Sequence, residues 1–427
     1  MNRLTIHAGR VIDPANNLDG IQDVFIENGR ILTLGAPPEG FTPDQVIDAQ
    51  GCIVCPGLID LAARIREPGA EHKADIASEC QAAVAAGITT LCIPPDSDPV
   101  VDTPAVVELI QHRAAQAGGA RIVILGALSK DLRHQTLSEM AELKAAGCVG
   151  ISDGGRPVSD SAFLRHAMDY ASTFDLPVHL TPVDPALGAN GCAHDGMVAT
   201  RLGLPGIPVA TETAALARDL ALFEETGARG HIGRLSSARA LTQLLHAKQL
   251  ALPVSCDVST HHLHLTEMDL LGYNSDCNVL PPLRTQLDRD QLRKALKTDV
   301  IDAICSDHQP HDVDAKQAPF CAAEPGISAL ESFLPLALRM HDEHQLALPA
   351  LIAKITATPA RILGIEYGQL SPGTIADIVI FDPNEEWTLN TDTLLSRGKN
   401  SPFAGWSLKG RVRFTLLDGQ IKYRHDV

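Results

Sequence analysis

Eight apolar strand patterns, most followed by an amphipathic helix pattern, run through residues 53–306 and leave little freedom in the fold. The strands are expected at 53–59, 88–93, 121–126, 148–152, 176–181, 229–233, 252–258 and 301–306. Helices are expected between them at 73–86, 104–117, 136–146, 160–173, 209–226, 236–247 and 287–298, with two more at 327–343 and 349–363. Alternation of this kind over about 250 residues argues for a parallel sheet, and eight repeats favour a closed (β/α)8 barrel over an open sheet.

Both chain ends read differently. Leu4 to Ala8, Val24 to Glu27, Gly29 to Leu32 and Val46 to Asp48 are short strand patterns, with Asn28-Gly29 as a hairpin turn. Strand patterns return at Asp377 to Phe381, Arg411 to Leu417 and Gln420 to Tyr423. The simplest assembly pairs the two ends. Residues 1–52 and 365–427 would then make one composite β domain beside a barrel of residues 53–364, which requires no linker.

Charge narrows the partners. Lys and Arg total 35 against 52 Asp and Glu, a net −17, which offers no electrostatic footprint for nucleic acid or an anionic membrane. The richest apolar stretch, near Ala82 to Pro95, is interrupted by Gly87, Thr89 and Thr90 and falls short of the roughly 18 residues that a span requires. The N-terminus runs into a strand pattern and lacks an apolar targeting segment. A cytoplasmic protein is expected. The ten cysteines show no repeated spacing, so most are expected to be reduced core residues, including Cys52 and Cys55.

In a barrel, chemistry sits where strands reach their C-terminal ends. Those ends carry Pro56-Gly57-Leu58-Ile59-Asp60, Arg66-Glu67-Pro68-Gly69 and Ser306-Asp307-His308-Gln309-Pro310-His311. With Gly203 to Pro208, Pro281 to Arg284, Pro359 to Gly364, Ala376 to Val379 and Lys409 to Val412, these strings resemble the dihydroorotases of the amidohydrolase superfamily over nearly the whole chain. The resemblance implies an α/β fold built on a distorted TIM barrel, a composite β domain, a place in pyrimidine biosynthesis and a zinc centre.

The slots for that centre do not match. The His-x-His pair implied after the first strand falls on Ala62 and Arg64, the histidine after the fifth strand on Thr181, and the second histidine after the sixth strand on Arg234. Alanine has no donor atom, and arginine keeps its proton and offers no lone pair. Only Asp153 and Asp307 keep ligand chemistry, so no metal and no other cofactor is expected. Among substrate positions, Arg66 is kept to grip a carboxylate, while Asp96 and Leu280 stand where the family has asparagines. An acid at 96 is expected to repel a carboxylate.

Arg64 and Arg234 could instead serve as counter-charges for Asp153 and Asp307, or they could point to solvent across an open mouth. The missing ligands suggest a catalytically inactive pseudoenzyme. The resemblance then implies a structural subunit that assembles with aspartate carbamoyltransferase catalytic chains, as a homodimer within a hetero-oligomer. The alternative is an active dihydroorotase or cyclic amidohydrolase whose metal site is rebuilt from Asp153, His179, His261 or His262, and Asp307.

Overall fold

The computed structural model describes residues 3–425. Eight parallel strands form one sheet in chain order: Leu58–Asp60, Ile88–Ile93, Arg121–Ala127, Cys148–Ser152, Val178–Leu180, Gly230–Ile232, Val254–Ser259 and Ala303–Cys305. The ends of this row meet. Ser306 N–H donates to Asp60 Oδ1 at 2.8 Å, and Ala63 bridges His308 in parallel, so the sheet curls into an amidohydrolase-type α/β barrel. Its strands are apolar on both faces because helices cover the outside while side chains fill the inside.

A second sheet joins the two chain ends. Its order is Gln420–Arg424, Ser407–Leu417, Ile378–Thr388, Ile53–Pro56, Arg3–Asp13, Leu18–Glu27 and Arg30–Leu34, with Gln45–Asp48 added beside Arg3–Asp13. Arg121 ties this sheet to the barrel through Asp377 at 2.5 Å and Asp418 at 2.9 Å. No helix among the described residues is long and apolar enough to cross a membrane.

Two local expectations are corrected. The strand pattern at 53–59 is two strands: Ile53–Pro56 lies in the outer sheet and only Leu58–Asp60 in the barrel. The break falls at Gly57, whose N–H donates to the Asp377 carbonyl at 2.9 Å. A Cβ there would stand 2.2 Å from Thr89 Oγ1, so only glycine lets the chain pass so close. The helix pattern at 349–363 divides into Leu348–Ile355 and Ala357–Leu363. Thr356 leaves the helical region (φ −135°, ψ −88°), and Pro359, lacking an N–H, cannot bond back to Ile355. Most cysteines are free and buried, as expected; Cys192 and Cys321 are joined in a disulfide with a Cα separation of 5.3 Å, a pairing across 129 positions that spacing could not announce.

Candidate active site

The C-terminal ends of the barrel strands open into a cavity of about 540 Å³. Asp307 follows the eighth barrel strand with a left-handed backbone (φ 47°) and is 1% exposed. Its Oδ1 accepts from Arg234 Nη1 at 3.3 Å and from Gln309 Nε2 at 3.1 Å. Arg64 Nη1 lies 3.7 Å from the same oxygen.

Each arginine is held elsewhere as well. Arg234, also left-handed at φ 59°, donates from Nη2 to the Thr181 hydroxyl and from its backbone N–H to Asp257 at 2.6 Å. Arg64 donates from Nε to Asp96 at 2.6 Å and from Nη2 to the Gly154 carbonyl at 3.3 Å. Asp96, expected to repel a ligand carboxylate, is therefore occupied by Arg64.

Asp153 is satisfied by main chain: its oxygens accept from Gly155 N–H at 2.8 Å and Thr181 N–H at 3.0 Å. Burial pushes its carboxyl up to about 6, against the pull of those amides and of Arg234 and Arg64. Arg66 lines the cavity wall. Its Nε donates to the Pro310 carbonyl at 3.0 Å, and its Nη2 stands 3.0 Å from His311 Nε2. Burial, with the nearby Arg64 charge, draws this guanidinium down to about 10. Leu280 also lines the cavity, and Ala62 is half-buried, its carbonyl accepting from His308 N–H at 3.1 Å.

The histidines offered for a rebuilt metal site do not come together. His179 faces His231, ring centroids 5.0 Å apart, and burial holds it well below the usual imidazole range. His262 is engaged with Ser259 at 2.7 Å and the Pro282 carbonyl at 3.3 Å. His261 Nε2 is 4.0 Å from Asp307 Oδ2; burial and the Arg234 charge bring it down to about 3. Among the described residues, no group of three or more His, Cys, Asp or Glu is placed to hold a metal ion. Two carboxylates already engaged by arginines and amides, with only His261 near Asp307 and the Arg234 charge beside it, do not make the donor set that zinc requires. The zinc implied by the resemblance does not fit these residues.

Three buried acids escaped sequence reasoning. Asp257 pairs with His231 at 2.9 Å, Asp60 clasps Ser306, and Glu79 meets His308 at 2.8 Å. An acid in an apolar strand or helix needs a partner, and that was the available signal. His308 thus belongs to packing beneath the mouth, not to the cavity.

The comparisons agree with this fold. Residues 51–240 match the dihydro-orotase-like family and residues 207–422 the amidohydrolase family. The L-hydantoinase (dihydropyrimidinase) of Arthrobacter aurescens superposes with a TM-score of 0.89 at 22% identity, covering 99% of this chain and 96% of that one. Fold and mouth together define an amidohydrolase barrel. A dihydroorotase-like protein of Pseudomonas aeruginosa is 46% identical over 420 residues, 98% of this chain and 99% of its own. A dihydroorotase of Geobacter metallireducens is 41% identical over 421 residues, 99% of each. The chain belongs to the dihydroorotase-like family.

That membership corrects the expectation of a non-enzyme. Relatives aligned along almost their entire length, at 41% identity, are named dihydroorotase. The substituted imidazole slots bear on how a metal would be held and do not by themselves remove an activity from the mouth.

Proposed function

We propose that this chain acts in pyrimidine-related metabolism as a dihydroorotase-like amidohydrolase, taking dihydroorotate or its open ureido acid, N-carbamoyl aspartate, at the barrel mouth. One observation carries the reading: Arg66 lines the cavity beside the strand end that bears Asp307. A guanidinium suits a ligand carboxylate, for which it offers two parallel donors. Arg64 and Arg234 present further N–H groups toward the mouth, where a ring carbonyl would gather negative charge as its amide bond is attacked. No step is assigned to a metal.

The test is ring opening of dihydroorotate and ring closure of N-carbamoyl aspartate by the purified full chain. Turnover is expected, with loss of at least about a hundredfold in Asp307→Asn and a KM raised roughly tenfold or more in Arg66→Met. Absence of turnover in both directions would overturn it.

The reading includes a partner, aspartate carbamoyltransferase catalytic chains, with this chain as a homodimer in a hetero-oligomer. Its support is chemical: carbamoyl transfer to aspartate yields the ureido acid that a dihydroorotase closes. Co-elution of the two purified proteins in size-exclusion chromatography is expected, and separate elution at micromolar concentration would remove the partner.

A further inference from the structure

Two arginines stand in ligand slots, and each has an acid in contact. Arg64 meets Asp96 at 2.6 Å, and Arg234 meets Asp307 at 3.3 Å. A cross contact at 3.7 Å from Arg64 Nη1 to Asp307 Oδ1 links the pairs. We infer that Arg64, Asp96, Arg234 and Asp307 form a charge-neutral cluster that replaces the metal in this chain, so that the barrel mouth is held without a divalent cation.

The geometry supports replacement over incidental surface pairing. The side chains of Arg64, Arg234 and Asp307 are only 11%, 10% and 1% exposed, too buried for solvent to screen them as it screens surface pairs. A buried acid left alone is costly, whereas a paired and hydrogen-bonded one is tolerated. Gly155 makes the room. A Cβ on it would stand 3.0 Å from Arg234 Nη2 and 3.1 Å from Arg64 Nη2, so both guanidiniums converge on one spot over a residue without a side chain. Asp153 is hydrogen-bonded by two amides and by no guanidinium, so although both arginine charges act on it it makes no ion-pair contact within the cluster. A cation arriving here would have to displace guanidiniums that do not give up their protons.

The experiment uses the full chain, with zinc and EDTA as probes. Elemental analysis after growth with added zinc is expected to find far less than one ion per chain, and neither EDTA nor millimolar zinc is expected to move Tm. In a double-mutant cycle, Arg234→Met is expected to lower Tm by at least about 3 °C, and adding Asp307→Asn to recover part of that loss. Should Arg234→Met fail to fold, the cycle of Arg64→Met with Asp96→Asn tests the same coupling. Zinc bound one per chain, a Tm that falls with EDTA, or strictly additive effects in the cycle that folds would overturn the cluster. Failed ring-amide turnover would leave it standing, since these readouts do not involve activity.

Discussion

Asp96 accepts a hydrogen bond from Arg64 Nε at 2.6 Å, so this acid of the cavity wall is matched by a cation before any ligand arrives. Arg64 and Arg66 lie two positions apart in the chain and both line the cavity. Only the first is matched by a carboxylate at ion-pair distance among the described contacts. Arg66, without a carboxylate at that distance, is the cation that the proposed function gives to the ligand.

Removing the neutralising acid frees a second cation. Asp96→Asn is expected to tighten binding of dihydroorotate or N-carbamoyl aspartate by roughly threefold or more at low salt, with the gain fading as ionic strength rises. Calorimetric titration at two salt concentrations reads it. Unchanged affinity would mean that Arg64 does not face the ligand.

Gly155 should resist substitution on two counts. Its φ of +75° disfavours any side chain, and its Cβ position lies within 3.1 Å of both guanidiniums. Gly155→Ala is expected to lower Tm by several degrees, whereas Gly118→Ala, also at positive φ but with open space around it, should cost less. Equal losses would assign the effect to backbone strain alone.

Burial pushes the Asp60 carboxyl up to about 7. The folded state therefore holds a proton that the unfolded chain releases near its ordinary value of about 3.9, and stability from this group is present at low pH and lost as pH rises toward 7. The Tm of the wild type relative to Asp60→Asn is expected to fall between pH 5 and pH 8, by a few degrees. A difference that rises over that interval would show the carboxylate to be stabilised, not strained. Buried histidines such as His261, brought down to about 3, act in the opposite sense below pH 6.5, which is why the comparison is with the variant.

The Cys192–Cys321 disulfide joins the segment after the fifth barrel strand to the segment after the eighth, and both border the cavity through Gly191 and Glu324. Alkylation in denaturant without reductant is expected to label eight cysteines, those free in the structure though mostly buried in the fold, and a dithiol reductant to expose two more. Limited proteolysis should then cut the region 182–196 faster, because a long closure has been released. Ten labelled cysteines before reduction would refute the pairing.

The barrel was legible because each strand is a short apolar run and each helix an amphipathic one, two periods that tertiary packing did not override. At the mouth, residue type alone set Ala62, Arg64, Thr181 and Arg234 apart from the ligands that the resemblance implies, without deciding what the mouth does. The contacts made there were not legible. Asp96 was read against a ligand carboxylate because the sequence places it beside Arg66 in function, while only folding brings it onto Arg64, 32 positions away. Asp153 and Asp307 look alike as letters, yet one is held by amides and the other by guanidiniums. Gly57 and Thr356 break elements for reasons of close approach and backbone geometry that hydrophobic pattern does not encode.

At Gly57 the chain leaves the outer sheet and enters the barrel within one residue. Arg64 follows seven positions later, its backbone N–H donating to the His308 carbonyl at 2.8 Å, next to Asp307. The outer sheet and the guanidinium that holds Asp96 are thus set by one short tether, a three-residue barrel strand and the turn that follows it.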